Sequence, residues 1–259
     1  MAQFAPHFNL YKIIGRFRIV IDITFWVIFA LSIVPTILKS MDIQLIFDDF
    51  LNIINIVSLL VYFILENIVD LFLIPQAEHK RRDDFIDNSF DTKFAVNNSI
   101  GYFDNDEVSH GLYKAATNLF QNCFTTYSLI KLLTPIKIIT PAIVLIAVCV
   151  MAYYGFQEVP FFLSILQIFF SANLLGALVK HLILLQRLSE IHDDWITLFQ
   201  TAGFDSNSTT FNTQIFRNWL RYETLVTKIP ASIPDKFFHK HNQRITSEWL
   251  ALKVKYSIQ

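Results

Sequence analysis

Hydrophobic and polar positions alternate along this chain in long blocks rather than single residues. Four blocks reach the ~20 mostly apolar residues that a membrane-crossing helix needs. Ile19–Leu38 holds one charge, Asp22, and Phe50–Ile74 holds Glu66 and Asp70 near its end. Pro135–Phe156 and Phe161–Leu185 form a second pair. None of the four shows the period-two alternation of a barrel strand, so each is predicted helical, with its backbone satisfied internally. Pro35 and Pro141 fall near span ends, where a lost hydrogen bond is easily replaced. Between the pairs, residues 76–134 are too long and too patterned for a plain connection. Gln76–Ser89 continues the second span as a charged helix, and Asn97–Tyr102 reads as a turn. From Gly111 to Leu133 apolar residues recur at Leu112, Ala115/Ala116, Leu119/Phe120, Cys123/Phe124 and Tyr127, which is helical spacing leading into the third span. The tail, residues 187–259, divides into three helices. The first ends near Gly203, the second covers Phe211–Lys228, and the third covers Asp235–Lys255 after Pro230 and Pro234.

The predicted fold is therefore an all-α membrane protein with four transmembrane helices in two hairpins, 19–75 and 135–186. A short N-terminal segment (1–18), a helical middle segment (76–134) and a helical C-terminal domain (187–259) complete it. Composition agrees: 53% of residues are apolar, 17% are charged and the mean hydropathy is +0.42, against ~25% charged in soluble domains. The net charge of −1 excludes nothing, but its distribution sets a direction. Lys12, Arg16 and Arg18 precede the first span, Lys80, Arg81 and Arg82 follow the second, and Lys131, Lys137 and Arg187 flank the last two. The first hairpin loop is acidic, with Asp42, Asp48 and Asp49 against Lys39, and the second carries only Glu158. By the positive-inside rule both termini and the middle segment face the cytoplasm. No small-residue cleavage site follows the first apolar run, which is read as a retained helix. Cys123 and Cys149 fall in a cytoplasmic and a membrane helix, which leaves no disulfide scaffold.

The second span carries the most informative polar pattern. Asn52, Asn55, Tyr62, Glu66 and Asp70 fall within about 80° on a helical wheel at ~100° per residue. Such a stripe either packs against another helix or lines a water-filled path, since facing lipid is costly. If it lines a pore, Glu66 and Asp70 form a carboxylate ring in an oligomer and favour cations. Lys180 is a candidate counter-charge for Asp22, Glu66 or Asp70. On the fourth span Ser164, Gln167 and Ser171 share a weaker polar face.

Candidate anion-binding residues lie outside the spans. Lys80, Arg81 and Arg82 suit a phosphate, or equally anionic lipid at the inner surface. In the tail Arg217, Arg221, Lys240 and Arg244 are interleaved with aromatic residues that include Tyr222, the mixture of charge and stacking surface that nucleotides and short nucleic acids use, though a solvated helix face has the same composition. No Gly-rich phosphate loop, GxSxG or HExxH is present, so the reading is non-enzymatic, with no cofactor. His239-Lys240-His241 lacks the neighbouring Cys or acid of a metal site.

The order of two spans, then Ala77-Glu78-His79-Lys80-Arg81-Arg82-Asp83-Asp84-Phe85-Ile86-Asp87-Asn88-Ser89-Phe90, Ser99-Ile100-Gly101-Tyr102-Phe103-Asp104-Asn105 and Asn118-Leu119-Phe120-Gln121-Asn122, then two spans and a helical tail, resembles the bacterial four-helix S-4TM pore-forming effectors of nucleotide-signalled antiphage defence. The resemblance covers about residues 20–200. It is also similar in design to the membrane effector of the Hailong system, in which a short DNA oligomer holds a channel shut. The resemblance implies a regulated channel that depolarises the membrane, a signalling nucleotide or short DNA oligomer, and a partner nucleotidyltransferase. A pore from four-helix chains implies a homo-oligomer, with a tetramer favoured. The alternative is a membrane-anchored scaffold that recruits a cytoplasmic partner without conducting ions.

Overall fold

The computed structural model describes residues 4–40, 48–103, 105–154, 172–206 and 208–258. Regular structure among them is helical, apart from one antiparallel bridge between Phe4 and Ile100. Helix α1 covers Phe8–Ser40 and α2 covers Asp48–Ile68. A π turn, Val69–Leu73, joins α2 without a break to α3, Ile74–Phe90. Helix α4 runs from Leu112 to Tyr154, and a second π turn, Ala172–Gly176, leads into α5, Ala177–Gln200. Helices α6, Asn212–Lys228, and α7, Asp235–Lys255, complete the chain.

Three helical stretches are long and apolar enough to cross a membrane: Phe8–Pro35, Asp49–Phe90 and Leu112–Val150. The expected fourth span begins outside the described residues, as do Ser164, Gln167 and Ser171. Pro35, Pro135 and Pro141 lie inside helices rather than ending them. Each removes one main-chain bond without stopping its helix.

The residues divide into two compact units. A polar unit gathers Met1–Lys12, Gln76–Thr134 and Lys180–Gln259; an apolar unit gathers Ile13–Pro75 and Pro135–Val179. The middle segment and the tail thus share one core. Their amphipathic faces explain why. On α5 the buried residues His181, Leu184, Leu188, Ile191, Trp195 and Leu198 recur every three or four positions, and on α7 Ile245, Trp249 and Lys253 recur every four. Neither stripe can be covered by its own helix. They meet α4 around Phe120, whose ring lies 5.1 Å from Phe199 and 5.3 Å from Trp249. Trp195, Trp249, Phe85, Phe120 and Leu119 are fully buried, each contributing about 1.5–3 kcal/mol of transfer free energy.

The connection between α3 and α4 is held by side chains instead of secondary structure. The Asp87 carboxylate accepts hydrogen bonds from Thr92 Oγ1 at 2.7 Å and from the Phe94 and Ala95 amides at 2.8 Å. Burial works to raise its pKa, but these donors outweigh it and hold Asp87 below the usual carboxylate range. Asp84 accepts from the Ser99 amide at 2.6 Å; there burial outweighs the donor and the pKa is raised. Gly101, at φ +62°, supplies a left-handed residue that a side chain would strain.

Candidate functional site

The polar stripe of the second span faces a partner. Asn55 Nδ2 donates to Ser32 Oγ at 3.2 Å, the Tyr62 ring lies 6.5 Å from Phe25, and Arg18 Nη2 pairs with Asp70 Oδ1 at 2.5 Å. As the number rises from 55 through 62 to 70 on α2 and its π turn, it falls from 32 through 25 to 18 on α1. The stripe is therefore the seam of an antiparallel helical hairpin. The second step is one residue longer on the α2 side, and the π turn accommodates it: Ile74 N–H bonds to Val69 O, five residues back. Asn52 is exposed, and half-buried Glu66 makes no hydrogen bond or ion pair among the described residues. Asp22 lies in the field of Lys137 and Arg18. Lys180, expected as the counter-charge, forms no ion pair among the described residues; Arg18 takes Asp70 instead. His181 meets Thr134 Oγ1 at 2.9 Å.

The basic run at the base of the second span is divided by its partners. Arg81 is almost fully buried and bridges Glu78 at 3.0 Å and Glu223 at 2.6 Å. Burial alone disfavours its charge, yet the carboxylates of Glu223 and Glu78 outweigh burial and raise its pKa. Arg82 Nε also reaches Glu223, at 3.0 Å, and its Nη2 donates to Thr227 Oγ1 at 2.5 Å. Tyr11 donates to Glu78 from the start of α1, and buried His7 packs edge-on against Tyr11 and Tyr102. Burial first, then the Arg81 charge, lowers the His7 pKa to about 4 against an opposing pull from Glu78. Arg81 and Arg82 are consumed by internal carboxylates rather than presented to a phosphate. Lys80 alone of the three is exposed with no polar partner among the described residues.

The tail candidates are likewise sorted. Tyr222 is buried in the core, its hydroxyl 3.4 Å from Thr126 Oγ1, so it offers no stacking face. Arg221 pairs with Asp194 and lies 3.6 Å from Glu190. Arg244 pairs with Glu248 one turn on, at 2.7 Å. Arg217 and Lys240 are exposed without a polar partner among the described residues. Beside Arg217, Phe216, Trp219 and Phe90 stand in near-parallel sequence, with centroids 6.1 and 6.3 Å apart. No group of three His, Cys, Asp or Glu among the described residues is placed to hold a metal ion.

No family model, curated protein or solved structure matches this chain.

The geometry of the site also reveals residues that sequence reasoning did not single out. Asn105 Nδ2 donates to Asn118 Oδ1 at 2.9 Å and to Gln121 Oε1 at 2.8 Å, while Asn118 Nδ2 donates to Asn88 Oδ1 at 2.8 Å and Ser89 Oγ at 3.2 Å. These amides act as a buried clamp tying α3 and its following loop to α4. Glu78 stands three residues before Arg81, a spacing that signals an ion pair. Glu223, 142 residues from Arg81, had no such local signal.

Proposed function

We propose that the chain is a regulated ion channel of a bacterial inner membrane, with four spans, both termini cytoplasmic and several identical subunits. One observation carries the reading. Each of the four passages between the apolar and polar units, at residues 12–13, 75–76, 134–135 and 179–180, lies inside a helix. A passive anchor functions with loops at these points. Helix that continues through each of these four points suits the transmission of a change in the polar unit to the spans. In this reading the seam of Ser32–Asn55, Phe25–Tyr62 and Arg18–Asp70 is the sealed state, and opening frees the stripe of Asn52, Asn55, Tyr62, Glu66 and Asp70 to line a cation path. Nucleotide or short-DNA control, with a nucleotidyltransferase as its source, follows from the resemblance. Of the candidate cations, Lys80, Arg217 and Lys240 have no polar partner among the described residues and are available for such a signal. The membrane-anchored scaffold is favoured by a different observation, the exposure of Leu220 (66%) and Val254 (81%) on the polar unit, which suits partner docking.

Single cysteines at Asp48 and Gln157 should react with a membrane-impermeant label from outside, and cysteines at Gln76 and Gln259 should not. The reverse pattern removes the topology. Mass measurement in nanodiscs should give an oligomer, a tetramer being expected, and a monomer alone removes the channel.

A further inference from the structure

In the polar unit a groove of about 410 Å³ runs between α4 and α5, and its lining changes character along its length. Leu182 and Leu185 form one end. Lys131 and Gln186 follow, then Tyr127 and Ser189, and finally Glu190 and Asp193. The two helices run antiparallel here, since Thr134 meets His181 while Tyr127 meets His192. Leu182 to Asp193 therefore covers roughly 16 Å of axis, with apolar, cationic and anionic zones in that order. Tyr127 is fixed between them. Its ring stacks on His192 at 5.0 Å, its hydroxyl accepts from Ser189 at 3.5 Å, and the Lys131 ammonium lies 5.6 Å from the ring centroid.

The charges lining the groove are compensated to different extents. Lys131 has no ion-pair partner among the described residues. Glu190 is already held by Arg187 at 2.9 Å and by Arg221 at 3.6 Å. The Asp193 side chain is 73% exposed, and among the described residues its carboxylate meets only His192, at 3.4 Å. Burial, the largest influence on that imidazole, lowers its pKa, so His192 is mostly neutral at pH 7 and gives Asp193 no full counter-charge. A cation and an anion are thus held close to the same imidazole without meeting each other.

We propose that this groove binds one zwitterionic phospholipid with a primary amine, of the phosphatidylethanolamine class. An acyl chain lies along Leu182 and Leu185, the phosphate on Lys131 and the ammonium on Asp193. The order apolar–cation–anion matches the order acyl chain–phosphate–amine. An anionic lipid leaves Asp193 facing a negative headgroup, and a choline headgroup has no N–H to donate to its carboxylate. The inference rests on the four-span reading, which puts residues 131–137 and 182–187 at the inner face of the bilayer, where headgroups lie.

The test uses the full chain, reconstituted in vesicles of equimolar phosphatidylethanolamine, phosphatidylcholine and phosphatidylglycerol, then extracted for native mass spectrometry. Phosphatidylethanolamine should be retained in preference to both others. Lys131→Gln should weaken its retention at least roughly ten-fold, the loss expected for one charge-assisted contact. Asp193→Asn should abolish its preference over phosphatidylcholine. Gln186→Trp, which fills the groove without removing a charge, should also displace the lipid and guards against a charge variant that fails to fold. Equal retention of all three lipids, or retention of phosphatidylglycerol first, overturns the proposal. Cysteine labelling at Gln76 and Gln157 in the same vesicles reports the topology separately, so failure of the groove is distinguishable from failure of the four-span reading.

Discussion

Arg81→Met gives the most exacting test of the polar unit, because methionine keeps much of the apolar stem and removes the charge with its N–H donors. The Arg81 side chain is 11% exposed and satisfies two carboxylates that are nearly as buried, Glu78 and Glu223. Removing one member of a buried ion pair costs about 3–5 kcal/mol, since it strands the other charge away from water. Here each carboxylate keeps one donor, Tyr11 for Glu78 and Arg82 for Glu223. The lower end therefore applies, about 3 kcal/mol, which corresponds to a fall of roughly 6–12 °C in Tm for a protein of this size. Tryptophan fluorescence during a thermal ramp in detergent reads the change, because Trp195 and Trp249 lie in the same unit's core. Ramps must share one rate, since membrane proteins commonly unfold irreversibly. The triple variant Arg81→Met, Glu78→Gln, Glu223→Gln removes the stranded charges and should recover at least half of the loss. Arg82, with its side chain 40% exposed, can then turn to water. A single variant that melts within about 1 °C of the parent, under ~0.5 kcal/mol at this size, refutes the reasoning. So does a triple variant no more stable than the single one.

His7 supplies a pH signature: its folded pKa of about 4 lies below the unfolded 6.5, so the stability due to its neutral form is full above about pH 6.5 and is lost as pH falls toward 4. His7→Phe should flatten the fall in Tm over that window relative to the parent, and an unchanged slope contradicts the assignment. Asn118→Leu strands the Asn105 and Asn88 amides and should cost about 2–4 kcal/mol, with hydrogen exchange accelerating first in residues 91–111; protection unchanged there would show that the amide clamp does not hold the connection.

The helices of the tail were legible because their limits are local. Pro230 and Pro234 interrupt the chain before Asp235, and the expected Phe211–Lys228 and Asp235–Lys255 differ from the observed α6 and α7 by one residue at one end. The same holds for the apolar face of Gly111–Leu133, where Ala115, Ala116, Leu119, Phe120 and Cys123 are all fully buried. What covers a face is a different question from which residues share it. Periodicity grouped Asn55, Tyr62 and Asp70 correctly, but could not say that Ser32, Phe25 and Arg18 stand opposite. The basic run illustrates the same limit: Lys80, Arg81 and Arg82 look alike in sequence, and only a carboxylate brought from α6 separates the two paired arginines from the unpaired lysine. The tail's aromatic and basic mixture divided similarly, with Tyr222 drawn into the core by the α6 stripe of Ile215, Asn218 and Leu225 while Arg217 faces outward.

The central claim is that the seam between α1 and α2 is a closed cation path, and current through planar bilayers tests it most directly. The full chain, Arg18→Gln, and Arg18→Gln with Glu66→Gln and Asp70→Asn are reconstituted at equal oligomer content under a KCl gradient. Arg18→Gln, which removes the partner of Asp70, should raise open probability over the parent, with a reversal potential near that of K⁺. The triple variant should conduct with its reversal potential moved toward zero, because the carboxylates that select cations are gone. No current from any of the three above protein-free bilayers would contradict the account and leave the scaffold reading in its place.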